Sequence, residues 1–116
     1  MPTLGMNGPY LLDAVTIDQQ VTQTKAGNYA LGYKNTSNEN FVVEYVGRSD
    51  YDVNERLKDH IGEGYKLFKF CYATSPMDAF KKECENYHDF TPKDNTNHPD
   101  RPDGADWKCP RCDIFE

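Results

Sequence analysis

The sequence predicts an α/β fold: a small antiparallel sheet of about three strands flanked by helices, with a C-terminal tail tied back onto it. Short β-branched and aromatic runs recur between clusters of turn formers, as strands require. Two further stretches, opened at Asp52 and Ser75, carry helix-start chemistry. Cys and His residues recur at metal-ligand spacing near the end of the chain.

At 116 residues the chain is one small domain with room for a modest core. Residues 1–9 are rich in Gly and Pro and read as mobile, and Tyr10 to Thr24 reads as a short strand or a helical turn. Residues 1–24 are therefore expected to be an N-terminal extension. A strand is expected from Gly27 to about Tyr33, and the Asn-rich run Asn35 to Asn40 forms a hairpin loop. Phe41 to Gly47 is the next strand, so Tyr29 and Tyr45 lie on antiparallel neighbours.

Asp52 followed by Glu55 reads as an N-cap with a carboxylate three residues on. It opens a helix carrying Arg56, Leu57, His60 and Ile61, and Gly62 and Gly64 end it. Arg56 and His60 are four apart and share a helix face. Tyr65 to Thr74 reads as a third strand. Ser75-Pro76-Met77-Asp78 then opens a helix to about His88, with Ser as cap and Pro at the first position. From Thr91 to Asp106 the chain is polar and Pro-rich, an arm that ends in the knuckle Trp107 to Cys112. Residues 25–90 are thus the expected main domain, and residues 91–116 an arm and knuckle packed back on it.

Formal net charge is −6, so no global basic field draws in nucleic acid. Such contact must rest on local clusters such as Arg48, Arg56, Lys58 or Lys81-Lys82. No apolar run has the length of a membrane span, and residues 1–24 lack a signal-peptide pattern. The expectation is an intracellular, cytoplasmic protein with no membrane partner, where C-x2-C favours metal or redox chemistry over a disulfide.

Cys84 and His88, four apart on a helix, join Cys109 and Cys112 as four ligands suited to one tetrahedral zinc. His98 is an alternative to His88. A redox pair at Cys109 and Cys112 is a further reading, although no thioredoxin-like pattern surrounds it. Cys71 sits in an apolar strand and reads as core. A structural zinc would clamp the tail behind the last helix.

Gly27-Asn28-Tyr29, Tyr45-Val46-Gly47, Arg56 with His60, and Glu83 follow one another on strand, strand, helix and later helix. In these residues, over about 25–90, the chain resembles the GIY-YIG nuclease superfamily. Asn28 stands where that family has an apolar residue. One extra residue lies near Asp50-Tyr51-Asp52, and Asn86 or Asn95 corresponds to the family's closing Asn.

The resemblance implies metal-dependent hydrolysis of phosphodiesters in nucleic acid, DNA foremost. It implies Tyr29 as general base, Tyr45 or His60 assisting, Arg56 on the scissile phosphate and Glu83 on one Mg²⁺ or Mn²⁺. An ordinary Tyr pKa of about 10 is far too high for a base, so neighbours must favour the phenolate. The alternatives are a non-catalytic module that binds nucleic acid or a protein partner in the same cleft, and a zinc-stabilised structural protein whose tyrosines are core.

Overall fold

The computed structural model describes residues 4–102 and 104–115. Along them run β1 (Asn7–Leu11), α1 (Ala14–Gln20), β2 (Gly27–Lys34), β3 (Phe41–Ser49), α2 (Val53–Asp59), β4 (Leu67–Tyr72) and α3 (Pro76–Phe90). The sheet has four strands in the order β1-β4-β2-β3, each neighbouring pair antiparallel. The expected antiparallel α/β architecture holds, with one strand more than the sequence suggested.

That strand corrects the reading of the N-terminal segment. Residues 4–24 are part of the domain: β1 pairs with β4, and Leu4, Leu12, Ile17 and Val21 are buried. Met1 to Thr3, the start of the stretch read as mobile, lie outside the described residues. Pro9 has no N–H to give a ladder, which suits an edge strand, and the pairing register shifts between Asn7 and Tyr10. The Asp13 carboxylate caps α1 by accepting from the Thr16 N–H at 2.7 Å.

β2 is buried from Gly27 to Gly32 because both sheet faces are covered. Tyr29 and Leu31 face one side, where they pack with Phe68, Phe70 and, from the α1 and α2 segments, Ile17, Val53 and Leu57. Ala30 and Val46 face the other side, under Tyr87 and Phe90 of α3. Each fully buried Phe, Leu or Ile contributes roughly 1.5–3 kcal/mol relative to exposure. Asn28, in place of an apolar residue, is buried and donates through Nδ2 to the Ala79 carbonyl at 2.9 Å. It thus pins the start of α3 to the central strand.

The helix starts follow the sequence. Asp52 accepts from the N–H groups of Asn54 and Glu55, and Ser75 accepts from the Asp78 N–H with Pro76 next to it. α2 stops at Asp59, two residues earlier than expected, and His60 becomes its C-cap. A third cluster, of Phe80, Cys84 and Cys109 with Trp107 and Phe115 against it, ties the tail to α3.

Candidate functional site

Strand register brings the two tyrosines together. Tyr29 lies opposite Gly47, and Leu31 opposite Tyr45, so all four residues share one sheet face. A β-carbon on Gly47 would run into the Tyr29 ring, so only glycine lets the phenol lie across β3 here. Tyr29 and Tyr45 each pack against the His60 ring, with centroids 5.3 Å away in both cases.

The Tyr29 hydroxyl lies 2.8 Å from His60 Nε2, and His60 Nδ1 lies 2.7 Å from Glu63 Oε1. An ionised carboxylate only accepts, so Nδ1 carries the hydrogen and Nε2 presents its lone pair to the phenol. The Tyr29 O–H therefore donates to His60, and His60 donates to Glu63. Burial pushes the Tyr29 phenol well above its ordinary value, with Tyr45 adding to the effect and the Arg56 charge opposing it. Tyr45 is shifted up as well, again chiefly by burial. Tyr29 thus keeps its proton unless His60 takes it.

These side chains border an open cleft of about 590 Å³. Tyr29, Tyr45, Arg56 and Glu83 all line it, and His60 stands behind the tyrosines. The structure therefore gathers the five residues singled out in the sequence. Arg56 has an exposed side chain, loosely paired with Asp59 at 3.9 Å. Glu83 is buried and its Oε1 lies 2.5 Å from Arg48 Nη1. Burial pushes the Glu83 carboxyl up from its usual range, against the pull of Arg48.

Glu63 and Asp50 were not among the site residues expected from sequence, and Arg48 was expected only as a local basic contact. Arg48 connects three partners: Glu83, Asp50 Oδ1 at 3.0 Å and the Asp100 carbonyl at 2.6 Å. Glu63 carries a readable signal, since it follows His60 by three residues. Arg48 carries none beyond its charge, because its partners come from α3 and the arm.

The arm forms the remaining wall of the cleft through Asn95, Asn97, His98, Pro99 and Asp100. It runs along the outer edge of β3. The Asp94 N–H donates to the Glu44 carbonyl at 3.0 Å, and Asn95 accepts from the Val46 N–H at 2.8 Å and donates to the Val46 carbonyl at 3.0 Å. Of the two asparagines open from sequence, Asn95 therefore lies on the cleft.

Beside this wall, His88, His98, Cys109 and Cys112 converge, with one ligand atom from each lying within 4.8 Å of the others. This group could hold a metal ion such as zinc. It differs from the expected set, because both histidines belong to it and Cys84 does not. Cys84 is fully buried on the apolar side, in the cluster with Phe80 and Cys109, and burial pushes its thiol up. The arm has folded His98 into the fourth position. Among the described residues this is the one such group of three or more His, Cys, Asp or Glu donors.

No helix among the described residues is long and apolar enough to cross a membrane. Comparison with protein-family models, curated proteins and solved structures finds no match to this chain.

Proposed function

We propose that the protein is a metal-dependent endonuclease of the GIY-YIG kind, hydrolysing phosphodiesters in nucleic acid and stabilised by one structural zinc. The observation that supports it most is the chain Tyr29 to His60 to Glu63, which opens onto a cleft shared with Arg56 and Glu83. A buried phenol is a poor base alone, and the imidazole beside it removes that difficulty.

In this scheme Tyr29 takes a proton from the attacking water as its own proton passes to His60 Nε2. Glu63 stabilises the imidazolium that forms. The water oxygen bonds to phosphorus, the bond to the leaving sugar oxygen breaks, and that oxygen is protonated from solvent. Arg56 binds the phosphate and offsets its developing charge. Glu83, with Asp50 and Asp100 on the same cleft, provides the oxygen donors that suit Mg²⁺ or Mn²⁺. When bound, such an ion supplies Lewis acidity and offsets the acidity of this cleft.

The experiment is to add Mg²⁺ or Mn²⁺ to chelator-treated, zinc-reloaded protein with supercoiled plasmid and with short branched, single-stranded and RNA substrates. Metal-dependent cutting that disappears in Glu83→Ala, at unchanged zinc content, is expected. One observation favours a second reading, a module that binds without cutting: Arg48 already engages Glu83 at 2.5 Å. Retained binding with no cutting on any substrate would select that reading.

A further inference from the structure

We infer that His88, His98, Cys109 and Cys112 form a closed tetrahedral zinc site whose occupancy docks the arm and completes the wall of the cleft. The inference rests on the His/Cys group and the arm, and holds whether or not the cleft cuts phosphodiesters.

The donor set is two imidazoles and two thiols, a combination found in closed structural zinc sites. Zinc–nitrogen and zinc–sulfur bonds of about 2.0–2.1 and 2.3 Å place tetrahedral ligand atoms roughly 3.3–3.8 Å apart. Cys112 Sγ and His98 Nε2 lie 3.4 Å apart. An independent observation comes from His88, whose Nε2 is buried without a hydrogen-bond partner. A buried ring nitrogen left in that state is costly, and a metal bond satisfies it. His98 donates from Nδ1 to the Pro99 carbonyl at 2.9 Å, which leaves the Nε2 lone pair directed at Cys112. That pattern, one nitrogen donating to a carbonyl and the other free to bind, is what orients metal-ligating histidines. The Arg111 N–H donates to Cys109 Sγ at 3.4 Å within the knuckle.

The link to the cleft runs through two residues. His98 belongs both to the ligand group and to the cleft wall. Two positions on, the Asp100 carbonyl accepts from Arg48 Nη2, and the same guanidinium holds Glu83. Among its described residues the arm has no helix or strand of its own, and it is held to β3 by the Asp94 N–H and the Asn95 side chain. Fixing His98 to α3 through His88 is therefore what keeps Asp100 over Arg48. Without the metal, the arm's hold on the edge of β3 weakens and Arg48 loses one of its three partners.

The test uses the full chain, reduced and stripped with a chelator, then titrated with Zn²⁺. Trp107 is the single tryptophan and its ring lies against Phe80, 5.8 Å between centroids, so its fluorescence reports docking of the tail. The expected result is a fluorescence change that saturates at one equivalent. Hydrogen exchange at the Val46 amide should be at least tenfold faster in the stripped protein, with Leu31 in the central strand still protected. His98→Gln and Cys112→Ser should lose the zinc and Cys84→Ala should keep it.

Zinc retained in His98→Gln but lost in Cys84→Ala would overturn the ligand assignment. Unchanged Val46 exchange on stripping would overturn the coupling to the cleft. Uniform loss of protection across β2 and β4 would also overturn it, replacing a local clamp with global unfolding.

Discussion

Gly47 shows how much a missing side chain can decide. The Tyr29 ring occupies the space a β-carbon would need, so Gly47→Ala must displace the phenol from His60. The expected cost is about 1–3 kcal/mol of stability by overpacking, together with loss of any cleavage, measured by urea titration and single-turnover assay. Glu83 makes a prediction about pH. Its carboxyl titrates above the usual range because burial disfavours the charge. Cleavage that needs the carboxylate should therefore rise with pH through a midpoint above that of an ordinary glutamate, at subsaturating Mg²⁺. Stability runs the opposite way. The folded state holds this proton more tightly than the unfolded chain, so the contribution is fully present below the unfolded value and declines as pH rises through the folded one. Paired pH series of cleavage and urea midpoint in wild type and Glu83→Gln would show both slopes.

The elements divide by how locally their signals are written. β2, β3, α2, β4 and α3 were legible because each has its own caps, turn formers or apolar runs, as at Asp52 and Ser75. β1 was not legible, since Gly5, Gly8 and Pro9 read as loop and only pairing with β4 makes that stretch a strand. α1 lies within the stretch Tyr10 to Thr24 that reads as a short strand or a helical turn, and its local signal is Asp13 as cap with Ile17 buried and Val21 as C-cap four residues on. α3 has one residue on which two regions depend. Phe80 is fully buried between Trp107 and Phe115, and the Arg48 guanidinium lies 5.2 Å over its ring. Phe80→Ala should cost about 3–5 kcal/mol, read by denaturant titration, and should red-shift Trp107 as the tail loosens.

For the molecule as a whole, the separation between legible and hidden follows from chain path. Tyr29, Tyr45, Arg56 and Glu83 sit on regular elements and His60 caps α2, so sequence order and period were enough to gather them. His98, Asp100 and Asn95 sit on an arm without regular structure, whose course is set by bonds to Glu44, Val46 and Arg48. Spacing alone gave Cys84 as a ligand because four residues separate it from His88. The fold instead turns Cys84 into an apolar cluster and brings His98 in. The acidity of the chain, net −6, is visible at the cleft, where Asp50, Asp52, Glu55, Asp59, Glu83 and Asp100 outnumber Arg48 and Arg56.

The proposed activation of water by Tyr29 through His60 is open to a single substitution, Tyr29→Phe. The substitution removes one hydroxyl and keeps the ring that fills the core. With Mg²⁺ or Mn²⁺ and the best-cut substrate, cleavage should slow by roughly 10²–10⁴-fold at unchanged zinc content, while loss of the bond to His60 lowers stability by only about 1 kcal/mol. Cleavage by Tyr29→Phe at the wild-type rate would contradict it.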